Sequence, residues 1–117
     1  MLIFKIVHAG EWHEAERIRA YAGSAKDHAD GFLHFSTAGQ LPGTLAKYYV
    51  GMNDLILVCV DAERLGSSLK FEPSRDGALF PHLYGALALS AVSWAQPLRV
   101  GAAGALELPP ELEAGLR

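Results

Sequence analysis

Asp54 to Val60 (DLILVCV) constrains this chain more than any other stretch. It is a continuous apolar run of strand length, without the alternation that one wet face would impose. It therefore reads as the centre of a sheet covered on both faces. A chain of 117 residues, half of them apolar, is most simply one domain with one such core. The single cysteine, Cys59, lies inside this run, so it has no internal disulfide partner and is expected as an inert core thiol.

Around this centre the chain divides readily. Leu2 to Val7 (LIFKIV) reads as a first strand. Glu11 to Ala22 reads as a helix whose stripe is Trp12, Ala15, Ile18 and Ala22, closed by Gly23. Ser24 to Asp30 is expected as a polar loop leading into a second strand, Gly31 to Phe35. Thr37 and Gln40 have capping-box spacing while Pro42 fits a first helical turn, so a tight turn is expected before a helix beginning near Pro42. Leu69 to Phe71 is a short strand ended by Pro73. Ser74 to Gly85 reads as irregular, Ala86 to Trp94 as a strand stopped by Pro97, and Pro110 as the start of a short last helix. The order implies an α+β fold: a mixed or antiparallel sheet with two early helices packed on it, core about 1–96, tail 97–117.

A net charge of −3 supplies no domain-wide basic field for nucleic acid. No Cys/His spacing suits a metal, and no phosphate loop, dinucleotide glycine fingerprint or nucleophile elbow occurs. Met1 leads into an apolar run too short to span a bilayer and without a cleavage pattern. The expectation is a cytoplasmic monomer that binds neither membrane nor metal.

Two stretches carry chemistry. In DGFLHFST (Asp30 to Thr37), a strand would put Phe32 and His34 on one face and Leu33 and Phe35 on the other. His34 is then a polar group among apolar ones and needs a partner, either a backbone carbonyl or a ligand. Ser36, two residues on, projects to the same side, and an imidazole beside a hydroxyl suits a sugar diol. In EPSRDGALFPHLYG (Glu72 to Gly85), Glu72 follows a strand, and Pro81 and Gly85 frame His82 and Tyr84. Glu72 and His82 are the candidate catalytic groups: a carboxylate at a pocket rim stabilises a cationic transition state or takes a proton. The plain alternatives are a solvated strand-end glutamate and a rigid turn. Tyr48 and Tyr49 point about 100° apart on a helix, so one packs inward and the other can offer a stacking face. Trp12 reads as a core anchor; His8, His13 and His28 read as exposed. The two stretches are expected to face one pocket.

Taken in order, Trp12, the Tyr21-Ala-Gly-Ser run, DGFLHFS, Gln40, Tyr48-Tyr49, DLILVCVD, FEP and FPHLYG resemble a small bacterial family of uncharacterised function grouped with the ADP-ribosyltransferase-like fold. The resemblance runs from the first strand to about Trp94. It implies a pocket for a nicotinamide dinucleotide (NAD) as substrate: His34 and Ser36 at the adenosine ribose, Tyr48, Tyr49 or Tyr84 stacked on nicotinamide, and Glu72 at the nicotinamide ribose. The acidic pair spaced by one residue, usual in that group, is absent, and Glu72 arrives early in the chain. Removal of 2′-phosphates from RNA is disfavoured, because only Arg75 lies near the site. The expected function is therefore transfer of ADP-ribose to an unspecified acceptor; the alternatives are a non-catalytic nucleotide- or ligand-binding module and a structural or interaction protein.

Overall fold

The chain takes its shape from β5 (Leu55–Asp61), which lies at the centre of a five-stranded sheet. The computed structural model describes residues 1–101 together with the strand Leu106–Glu107; the expected helix from Pro110 lies outside the described residues. In chain order the elements are β1 (Leu2–His8), α1 (Ala9–Ile18), β2 (Ala20–Tyr21), α2 (Ala25–Asp30), β3 (Leu33–His34), β4 (Ser36–Thr37), α3 (Leu41–Tyr48) and β5. There follow a 3₁₀ segment (Ala62–Ser68), β6 (Leu69–Pro73), β7 (Leu79–Leu83), β8 (Leu87–Ala88), β9 (Val92–Val100) and β10 (Leu106–Glu107). The large sheet runs β10-β9-β5-β1-β4, a second runs β3-β7-β6, and β2 pairs with β8. Every pairing among the described residues is antiparallel, so the fold is α+β.

Both faces of β5 are covered, as a run without alternation requires. Ile56, Val58 and Val60 join Ile3 and Val7 of β1, Trp12 and Ala15 of α1, Leu33 and Phe35 on one face. Leu55, Leu57 and Cys59 join Phe4 and Ile6 of β1, Leu41 and Leu45 of α3, Leu98 and Val100 on the other. The alternation along β1 sends Lys5 to the same face as Ile3 and Val7, where it is buried.

Several elements depart from expectation for local reasons. Helix α1 stops at Ile18 because Arg19 takes a left-handed conformation (φ 67°); Ala20–Tyr21 then pairs with β8, which leaves Ile18 exposed. Ser24 to Asp30 is a helix, not a loop: Ser24 and Asp27 form a reciprocal capping box. Gly31 caps that helix in left-handed geometry, so the second strand shrinks to Leu33–His34. Thr37 and Gln40 do bond reciprocally ahead of α3, and Pro42 falls in its first turn. Residues 74–85 are not all irregular, because β7 runs through Pro81: the Pro81 carbonyl accepts from the Phe35 N–H at 3.0 Å, and the ladder to β3 lies at Leu83 and His82. The expected strand over 86–94 is split by a 3₁₀ turn at Leu89–Ala91, and β9 passes through Pro97. Among the described residues β9 is paired on its far side only at Arg99 and Val100, so a proline at 97 breaks no ladder there. The expected core boundary near residue 96 thus falls inside β9, with Leu98 and Val100 in the core.

Gly23 has φ 116°, and a Cβ there would stand 2.7 Å from Leu33 Cδ2. Gly23→Ala is expected to destabilise the fold by about 1–3 kcal/mol, combining backbone strain with a core clash. Urea unfolding measures it; an unchanged midpoint would contradict the packing described.

Candidate functional site

Among the described residues, strand β4 pairs only with Ile3 and Phe4 of β1. Beyond it the chain turns away at Phe35, and His34 pairs instead with His82 of β7. The edge of β1 from Lys5 to Val7 is left open, and a cleft of about 510 Å³ sits in the fork between the two sheets. Lys5, Ile6 and Val7 line it, with α2, α3 and the strands β3 and β7 around them.

One wall is an ionic network. Asp27 is buried and faces Lys5 Nζ at 3.0 Å, the Ser24 N–H at 2.9 Å, the His34 N–H at 3.1 Å and His34 Nδ1 at 2.5 Å. Burial alone would raise the Asp27 carboxyl, but the His34 ring, the Lys5 charge and the Ser24 amide together hold it well below the usual carboxylate range. Burial lowers the Lys5 amine despite Asp27, and its remaining hydrogen bond goes to the His34 carbonyl at 2.9 Å. His34 Nε2 lies 2.8 Å from Asp30 Oδ2, which Lys26 also approaches at 3.4 Å. Both ring nitrogens of His34 thus face carboxylates.

The second wall belongs to β7 and β6. The His82 side chain is buried and its Nδ1 lies 2.8 Å from Glu72 Oε1, which also accepts from the Tyr84 hydroxyl at 2.7 Å. The Tyr84 hydroxyl and then the His82 ring hold the Glu72 carboxyl below its ordinary value. In the neutral ring with Nδ1 donating to Glu72, Nε2 is an acceptor, and among the described residues it has no hydrogen-bond partner. Phe32 stacks on the His82 ring at 3.9 Å and tilts against His34 at 4.7 Å. Across the cleft, Ser36 Oγ and Thr44 Oγ1 share a hydrogen bond of 2.9 Å, and Arg75 Nη1 donates to Thr44 at 3.3 Å.

The two sequence stretches do converge. His34, Ser36, His82, Tyr48 and Tyr49 line the cleft; Tyr49 is half-buried against the core, whereas Tyr48 is exposed. Glu72 and Tyr84 do not line it, but back His82 from behind. Trp12 is buried, and His8, His13 and His28 are exposed. Sequence reasoning missed Lys5, Asp27 and Thr44. A lone charge in LIFKIV and the Ser24-x-x-Asp27 spacing were the available signals. Among the described residues no cluster of His, Cys, Asp and Glu could hold a metal, and no helix is long and apolar enough to cross a membrane.

These features define a small α+β protein with a histidine-lined cleft between two antiparallel sheets. The chain belongs to the family described as Protein of unknown function (DUF952), which matches residues 6–95. Protein CC0527 from Caulobacter crescentus, in its X-ray crystal structure, is 42% identical with a TM-score of 0.88, covering 99% of this chain and 98% of that one. The solution NMR structure of CC0527 gives 43% identity and a TM-score of 0.81, covering 97% and 95%. No curated protein matches this chain.

Asp27→Asn leaves Lys5 buried without its counter-charge and is expected to cost about 3–5 kcal/mol at neutral pH. The folded-state carboxyl lies below its unfolded value of 3.8, so its contribution is complete above that pH and is lost as pH falls below it. Stability measured from pH 7 down to pH ~2 should therefore show the gap between wild type and variant narrowing below pH ~4. A gap that stays constant with pH would rule out the ion pair as its cause.

Proposed function

We propose that the cleft binds a nucleotide of the NAD type and that the protein transfers its ADP-ribose part to an acceptor, in the manner of the ADP-ribosyltransferase-like group its motifs resemble. The observation that carries this reading is Nε2 of His82, a buried acceptor without a partner in a cleft wall. Leaving such a group unsatisfied costs about 1–3 kcal/mol, which a ligand hydroxyl would recover. The nucleophilic O–H or N–H of an acceptor held beside the ribose is such a donor, and the same hydrogen bond then carries its proton to Nε2. Phe32 is only half-buried, so it is the side chain that yields to admit the sugar. The exposed ring of Tyr48 offers a face for a base or for nicotinamide.

In this reading Glu72 acts on His82, not on the substrate. It fixes the tautomer that presents an Nε2 lone pair to the cleft. The acceptor's nucleophilic atom attacks C1 of the nicotinamide ribose. The glycosidic C–N bond breaks, nicotinamide leaves with its electron pair, and the acceptor's proton passes to Nε2. His34, with both ring nitrogens engaged by Asp27 and Asp30, is a fixed wall of the ribose subsite and not a hydrogen-bond partner of the sugar.

Isothermal titration with NAD and with ADP-ribose is expected to give saturable heat, and incubation with NAD and cell extract to release nicotinamide. His82→Gln should lower release by about 10²-fold or more, the usual contribution of a positioned base, while leaving the thermal unfolding profile cooperative. Heat without nicotinamide release would make the protein a binding module. No heat with either nucleotide would remove the reading.

A further inference from the structure

Most cations lining the cleft are already matched. Lys5 pairs with Asp27 and Lys26 with Asp30. Arg75 also lines the cleft, and among the described residues it has no carboxylate partner. Its guanidinium lies over the Phe80 ring, 4.9 Å from the centroid, and donates one hydrogen bond to Thr44 Oγ1. Stacking and this single bond hold a planar fork in place while leaving most of its five N–H groups uncommitted.

The hydroxyls beside it are also donors in surplus. Ser36 and Thr44 have two O–H groups and share one hydrogen bond, and Thr44 accepts from Arg75. Whichever hydroxyl donates in the shared bond, the other O–H remains free to donate. Both residues line the cleft, so an acceptor for that O–H can sit there.

Gly43 adds an independent observation. It stands inside α3, where glycine is a poor helix former, and its φ is not in the left-handed region that favours glycine. A Cβ at this position would come 3.1 Å from Arg75 Nη2. The glycine therefore gives the guanidinium its place against the helix, at a cost to the helix itself.

We infer that Arg75 and the Ser36–Thr44 hydroxyl pair form a phosphoryl-binding subsite, with Gly43 as the clearance that lets the guanidinium reach it. A cluster of N–H and O–H donors with no carboxylate in ion-pair reach of the guanidinium among the described residues selects an anionic oxygen acceptor, and a planar fork suits two phosphoryl oxygens at once. The subsite rests on the nucleotide reading above and deepens it: this is where the diphosphate sits.

The test titrates the full chain with inorganic pyrophosphate, ADP-ribose and adenosine, using wild type, Arg75→Gln and Gly43→Ala. Arg75→Gln should abolish pyrophosphate binding and raise the Kd for ADP-ribose by about tenfold or more, with adenosine unchanged. Gly43→Ala keeps the charge. It should hold or raise Tm, as alanine does in a helix, yet weaken both phosphorylated ligands severalfold. If ADP-ribose binds Arg75→Gln as tightly as wild type, the subsite falls while the nucleotide reading stands. If pyrophosphate binds through Arg75 and ADP-ribose binds no tighter than pyrophosphate, the subsite stands and the nucleotide reading falls. Wild type that takes neither pyrophosphate nor ADP-ribose overturns the subsite outright.

Discussion

Asp27 is the carboxylate on which the cleft depends. Burying an ionised carboxyl is unfavourable unless donors replace its water, and here β1, the start of α2 and β3 each supply them. The Lys5 amine reaches Asp27 only because β1 carries it into the core face. The Ser24 amide reaches it only because the chain caps a helix there, and the His34 ring only because Gly31 turns the chain back. One anion thus fixes three segments relative to each other, and with them the wall that carries His34.

That dependence explains what the sequence revealed and what it did not. The strand β5 was legible because a run with no polar break admits few interpretations, and β1 because its β-branched residues alternate between two apolar clusters. Helix α2 was not, since six residues are too few for periodicity and only the spacing of Ser24 and Asp27 marked it. Strand β7 was hidden by Pro81. Its tolerance of proline depends on where β3 stops pairing, which is a tertiary fact. The convergence of the two motifs on one cleft was anticipated, but the pairing of His34 with His82 was not, and Lys5 was passed over. A lysine in an apolar strand looks like an edge residue until its counter-charge is known, and that counter-charge comes 22 positions later.

The two histidines share a location but not an environment. His34 has carboxylates at both ring nitrogens and is in effect built into the wall. His82 has one carboxylate behind it and an idle nitrogen in front. Polar groups that a fold completes by itself hold structure; a buried group left incomplete is the one that a second molecule can complete. By that criterion the fold completes His34 by itself and does not complete His82.

The turn at Phe35 makes a single stretch of chain serve two sheets, with Leu33–His34 in one and Ser36–Thr37 in the other. The cleft is consequently a joint between two plates and not a hollow within one. His82 and the Arg75 turn travel with the three-stranded plate, while Lys5 and Ser36 travel with the five-stranded one. A change in the angle between the plates would therefore change the aperture.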